Sequence, residues 1–430
     1  MFFNSIKGCM LMLLAVSTLV SACSGPMNPT AIAKSNSPAI EKDVPVLSLG
    51  ERQQAASKLN PAFIQAQNRF GLTLHQKLAP AVGQGQNLIL SPYSIFTALA
   101  LAYNGADGQT AKEMAQALGV QQLRKDQISA AFHTLQTLLE DAGSGVRLNT
   151  ANSVWYQRGG SMKDSFVGTA RKSYGAEIRD ADFQNKKTLN EINDWVSKHT
   201  NGKIPSILDQ LPAPETLAVL LNAVYFNGSW QKPFDPKDTR EGSFTLADKT
   251  VKKVPMMAQS GMFEYKNTSE AQAIRLPYGD GRLDMMIIMP AEGRTLADLM
   301  NKIRKDPSPW QGNFPNASGE IRLPRFKAEY SGQLKDPLAQ MGMKQAFDPA
   351  AADFTAMSDI KPLFISSVLH KTVVDVNEQG TEAAAVTAIG LATASAPLDR
   401  FRMDVDHPFF FCIEDRQTGL WIFMGTIENP

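Results

Sequence analysis

Histidine occurs five times, at 75, 133, 199, 370 and 407, each time alone. Hydrolytic chemistry would need a hydroxyl or thiol held against a base, usually announced by a G-x-S-x-G elbow or a Cys–His set. Neither is present, nor is H-E-x-x-H, C-x-x-C or a glycine-rich phosphate loop, and Gly83 and Gly85 fall in a polar loop. Cys412 stands in the apolar run Phe409-Phe410-Phe411-Cys412-Ile413, the setting of a buried structural thiol rather than a reactive one. An enzymatic reading, such as an envelope hydrolase, therefore lacks its constellation, and no metal or cofactor is expected.

A second stretch is unusual for what it leaves out. Residues 374–387 read Val-Asp-Val-Asn-Glu-Gln-Gly-Thr-Glu-Ala-Ala-Ala-Val-Thr. They open as an alternating strand and run into alanines, so propensity makes Thr381–Ala388 a helix capped by Thr381. As a strand, the same residues put Thr381, Ala383, Ala385 and Thr387 on one face and Glu382, Ala384 and Val386 on the other. The first face is small and uncharged, so it can be buried without taking a charge out of water.

The N-terminus reads as an address. Lys7 precedes an apolar run from Cys9 to Val20, too short for a membrane-spanning helix and shaped like a signal peptide. Val20-Ser21-Ala22-Cys23 resembles the bacterial lipobox, which makes residues 1–22 a lipoprotein signal and Cys23 the site of lipid attachment. Acyl chains there would anchor the protein to the membrane. By the same resemblance, Ser24 in place of Asp after the cysteine implies the outer membrane of a bacterial cell envelope, on its periplasmic face or the cell surface. Residues 23–62, with scattered Pro, Ser, Asn and Ala, read as a flexible tether.

The remaining 63–430 have the pattern of a folded domain without repeats. The whole chain has 430 residues, 43% hydrophobic and 20% charged, with a net charge of +1, which leaves no basic footprint for nucleic acid. Helical periodicity fits Ala62–Leu78, Ser91–Ala102, Gln109–Leu118, Ser129–Leu139 and Thr188–His199. Strand patterns fit Leu217–Phe226, Asp284–Met289, Val368–Val376, Phe409–Glu414 and Leu420–Gly425. Their irregular interleaving argues for an α+β domain.

Eight segments, in order, resemble the serpin family across residues 63–430. They are Asn87–Ile95 with Ser91-Pro92-Tyr93-Ser94; Leu221–Trp230; Val254-Pro255-Met256-Met257; Leu276-Pro277-Tyr278; Leu323-Pro324-Arg325-Phe326; Asp353-Phe354; Glu378 with Gly380–Ala385; and Met403–Ile413. The resemblance implies a large central sheet with two further sheets, eight or nine helices and an exposed reactive-centre loop. It also implies a monomeric inhibitor that traps a protease as an acyl-enzyme when the cut loop inserts into the large sheet. On that pattern Glu378, Gly380, Thr381, Glu382, Ala383, Ala384, Ala385, Val386 and Thr387 form the loop hinge.

Family spacing from Glu378 puts the scissile bond at Ala394–Ser395, with Leu391, Ala392 and Thr393 as alternatives. Alanine suits an elastase-like serine protease, and a cysteine protease is a second target class. No Lys or Arg lies between Gly380 and Pro397, which argues against a trypsin-like target. Ser91, Ser94, Asn222 and His370 match the polar cluster that controls opening of the sheet. Trp230 and the Glu378–Arg325 pair match the place where the loop first inserts. The competing expectation within the same family is a serpin-fold binding or chaperone-like envelope protein that traps nothing.

Overall fold

The computed structural model of the chain describes residues 47–140, 142–212, 216, 218–381 and 400–430, all within one compact unit, Val44–Pro430. Its helices are α1 (Leu49–Ser57), α2 (Pro61–Val82), α3 (Pro92–Gly105), α4 (Gly108–Leu118), α5 (Lys125–Glu140), α6 (Asp164–Tyr174), α7 (Lys186–His199), α8 (Leu296–Lys305) and α9 (Lys335–Gln340). The strands of the first half are β1 (Leu88–Leu90), β2 (Val146–Gln157), β3 (Glu177–Ala181), β4 (Ala218–Ser229), β5 (Arg240–Thr245), β6 (Val251–Asn267) and β7 (Ala271–Tyr278). Those of the second are β8 (Leu283–Pro290), β9 (Asn316–Pro324), β10 (Phe326–Gln333), β11 (Ser367–Asn377), β12 (Gly380–Thr381), β13 (Phe401–Asp404), β14 (Phe409–Asp415) and β15 (Leu420–Ile427).

Local chemistry sets the helix that carries the core. Asn60 caps α2 by accepting from the Ala62 N–H, Pro61 fills the first turn, and Phe63, Phe70, Leu74 and Leu78 make one buried face. Gly71 lets α2 cross α3 closely, because a Cβ there would sit 2.5 Å from Pro92 Cγ. Ser91 caps α3 through the Ser94 N–H, and nearly all of α3 is buried under the sheets.

The folded part starts earlier than the tether reading allows. Ser48 and Glu51 form a capping box on α1, Leu59 is buried, and Leu47, Ala55 and Ala56 pack against the main core. The boundary at 62–63 is therefore too late by at least fourteen residues, counted from the start of α1 at Leu49.

Six strands, in the order β10-β11-β12-β4-β2-β3, make the sheet that matters for function. On β4 the side chains of Leu220, Asn222, Val224 and Phe226 alternate with those of Leu221 and Ala223. Leu220, Val224 and Phe226 join the helical core, while Leu221 and Ala223 meet Trp195 and Val196 of α7. Asn222 is the polar member of an otherwise apolar row.

The other strands form one nine-stranded sheet, so the described residues hold two hydrogen-bonded sheets where the sequence implied three. The cause is β6. It pairs with β5 over Val251–Met256, with β9 over Met256–Glu264 and with β7 over Glu264–Asn267, which welds the two smaller sheets together.

A buried ion cluster fastens this second sheet to the 308–314 segment. The Arg275 guanidinium, 1% exposed, donates to Asp284 at 3.0 Å, Glu414 at 3.1 Å and the Trp310 carbonyl at 3.1 Å. Arg416 donates to Asp284 and Glu264, both at 2.9 Å. Three carboxylates thus face two guanidiniums. Burial pushes Glu414 up to about 7, Arg275 opposing and Asp284 adding to it. Glu414 therefore binds a proton on folding between its ordinary 4.5 and about 7. Its contribution is fully present below 4.5 and is lost as pH rises to 7, by about 1.4 kcal/mol per pH unit. Against E414Q, the native chain should lose melting temperature steadily over that window. A difference between the two proteins that stays flat from pH 4.5 to 8 would count against a protonated Glu414.

Candidate functional site

Strands β4 and β11 run parallel and pair from Val219–Ser367 to Tyr225–Val373. Beyond that point they part, and β12 fills the gap. Gly380 pairs with Asn377 on one side and Ser229 on the other, and Thr381 pairs with Val376 and Gly228. Thr381, the first residue of the expected helix, is thus in a strand, because two open sheet edges supply backbone partners that local propensity does not count. Gly380 has φ 146°, and a Cβ there would run into the Gly228 carbonyl oxygen. Glu382, Ala383, Ala384, Ala385, Val386 and Thr387, together with Leu391–Ser395, lie outside the described residues, as does Cys23.

Thr381 is fully buried, and its hydroxyl lies 2.6 Å from that of Tyr278. Tyr278 stacks on Trp230, with centroids 4.4 Å apart and planes 12° from parallel. Burial raises the Tyr278 pKa, so the phenol stays neutral and available to hydrogen bond. Trp230 Nε1 donates to the Asn377 carbonyl and its backbone N–H to the Gln379 carbonyl, both at 2.9 Å.

Glu378 anchors the same corner. Arg325 Nε donates to it at 2.6 Å with a second contact through Nη2, and the Thr239 hydroxyl donates at 2.5 Å. Burial works to raise its pKa, but the bonds from Arg325 and Thr239 outweigh that, and the carboxyl lies below its ordinary value. Arg325 and Trp230 thus both bond to the 377–379 turn that precedes β12.

Lower in the sheet a polar chain crosses three strands. His370 on β11 pairs in register with Asn222 on β4, which pairs with Asn152 on β2. The Ser91 N–H donates to His370 Nε2 at 3.3 Å, so the ring proton sits on Nδ1 and donates to Asn222 Oδ1 at 2.7 Å. Asn222 Nδ2 then donates to Asn152 Oδ1 at 2.7 Å and to the Ser94 carbonyl at 2.9 Å. Ser91 Oγ donates to the Ile422 carbonyl at 2.7 Å. Burial drops His370 to about 3, so it is neutral at physiological pH.

Ser91, Ser94, Asn222 and His370 therefore meet. Asn152, Thr239 and Tyr278 belong to the same two clusters and were not assigned from sequence. The signal for Asn152 was a polar residue inside a strand, visible only once its register with Asn222 is known.

These two clusters and the half-filled gap can be set beside known proteins. The serpin (serine protease inhibitor) family model matches residues 65–430. An uncharacterized serpin-like protein of Thermococcus kodakarensis is 38% identical over 379 residues, covering 85% of each chain. Leukocyte elastase inhibitor A of Rattus norvegicus is 33% identical, over 85% of this chain and 98% of its own. The native-state crystal structure of tengpin, a thermophilic serpin, superposes with a TM-score of 0.79 at 30% identity, over 86% of this chain and 95% of tengpin.

Proposed function

The chain belongs to the serpin family, and from that premise we propose that it is a suicide inhibitor of serine proteases. The observation that carries the reading is β12: Gly380 and Thr381 already pair with both β4 and β11, opening the sheet from one end. In the proposed reaction the protease serine attacks the Ala394 carbonyl and the amine of Ser395 leaves. An ester then joins the enzyme to Ala394. The released strand follows Thr381 between β4 and β11 and carries the acyl-enzyme with it, before water can attack the ester.

Alanine at the primary site suits a shallow apolar pocket, so the target is elastase-like. The likeness to a leukocyte elastase inhibitor supports that class. Cysteine proteases are a second target class. Acylated Cys23 holds the monomer in the bacterial envelope, at the outer membrane. Among the described residues no helix is long and apolar enough to cross a membrane.

The test mixes the full chain with elastase, trypsin and a papain-like protease, followed by denaturing gels and mass spectrometry. Elastase should give an SDS-resistant complex and a released peptide beginning at Ser395, and trypsin should give no complex. If every protease cuts the chain and keeps its activity, the trapping reading is wrong.

A further inference from the structure

A cleft of about 1040 Å³ lies between the C-terminal half of α2, helix α8, the turn after β5 and the ends of β8 and β15. Val82, Leu88, Met289, Leu296 and Met300 supply its apolar surface. Its size and lining are those of a small-molecule site. The hinge is elsewhere: along the β7–β8 ladder the cleft is at the Ala271–Pro290 end, and Tyr278 pairs with Leu283 at the other.

Two polar groups facing the cleft are left unfinished. His75, 3% exposed, has Nε2 3.2 Å from the Thr426 hydroxyl, while its buried Nδ1 has no partner. Burial first, then the nearby Arg304 charge, holds its pKa at about 3, so the ring is neutral with a single N–H. The N–H is on Nδ1 in the tautomer in which Thr426 donates to Nε2, and on Nε2 in the one in which the ring donates to Thr426.

Arg304, in the last turn of α8, hydrogen-bonds Asn301 but forms no ion pair among the described residues. Burial lowers its pKa, with no carboxylate acting to raise it. Two neighbouring cations differ: Arg294 meets Glu270 at 3.6 Å, and Arg402 meets Asp404 at 2.9 Å, while Lys249 is exposed at the rim. Of the rim carboxylates, Glu428 is engaged by the Gly85 N–H at 2.9 Å and Asp406 by His407 at 2.8 Å, while Glu292 is exposed. A guanidinium without an ion pair among the described residues and a buried ring nitrogen without a partner therefore share one cleft.

We propose that this cleft binds a small amphipathic anion, an apolar body ending in one carboxylate. The carboxylate accepts from Arg304 and, with the ring in its Nδ1–H tautomer, from His75 Nδ1, and the apolar body lies on Met289, Leu296 and Met300. Its position keeps it independent of the inhibitory reading.

Calorimetric titration of the full chain with laurate and with dodecanol, both kept monomeric, tests this. Laurate should bind one-to-one and at least about tenfold more tightly than dodecanol, the contribution of a charge-assisted contact. R304Q should bring laurate down to the level of dodecanol, and Leu296→Trp should weaken both by filling the cleft. Laurate should also shift the His75 ring N–H resonance, a readout that needs no variant. Equal affinity for the two probes, laurate binding untouched by R304Q, or binding of either probe untouched by Leu296→Trp would each overturn the proposal, as would no binding of laurate at all.

Discussion

Replacing Thr381 with arginine should turn the inhibitor into a substrate. Its side chain is fully buried against Tyr278, between backbone partners on β4 and β11. The acidic group Glu378, three residues before it, is already held by Arg325 and Thr239. Burying an unpaired charge costs several kcal/mol, and about 4 kcal/mol slows a step roughly a thousandfold. Insertion would then lose its race with hydrolysis of the acyl-enzyme. The expected gel shows complete loss of the SDS-resistant band while cleavage at Ala394 continues. Thr381→Ser, which keeps a small side chain and the hydroxyl, should trap as the parent does. An arginine variant that still traps in near one-to-one yield would refute insertion through this gap.

Asn222→Ala should lower the thermal stability of the uncleaved chain and hasten its loss of inhibition on warming. The substitution removes the acceptor of the His370 Nδ1–H and the donor to Asn152 and Ser94 in one step. His370 and Asn152 are 1% and 5% exposed, so water cannot replace what is lost. Stranding a buried polar group costs about 1–3 kcal/mol, and two or more are stranded here. The melting temperature should fall by roughly 5 °C or more. Because His370 and Asn222 bond across the two strands that part in the proposed insertion, the variant should also open more readily. Unchanged melting together with an unchanged rate of heat inactivation would show that this bond does not hold the sheet shut.

What could be read in the sequence was whatever is apolar on both sides or periodic over several turns. Strands β4, β8 and β14 are nearly continuous apolar runs and were found to within a few residues. Strand β6 was missed because it begins Val251-Lys252-Lys253 and exposes much of its length, so no period of two survives. Helix α1 has no buried residue of its own; its signal was the Ser48–Glu51 box, inside a stretch whose composition looked like linker. At the site, Ser91, Ser94, Asn222 and His370 were legible through their resemblance to a family pattern. Asn152 and Thr239 were not, since their roles depend on partners 70 and 139 residues away. The role of Thr381 required knowing that two strands diverge, which no local window contains.

The register of β12 is also a ruler. Thr381 stands opposite Gly228 and Val376, and a strand that continues the same antiparallel ladder steps back one residue on each neighbour for each residue gained. In the proposed insertion, six residues on and about 20 Å down the slot, the register would bring Thr387 opposite both Asn222 and His370. It is the next hydroxyl on the face that begins with Thr381, after two alanines. It would arrive where a hydrogen bond had just been parted, carrying one donor and two acceptor positions. The stroke would then have a notch part-way along, at which the unpaired amide and imidazole could re-engage, so that backsliding past it would mean parting them a second time.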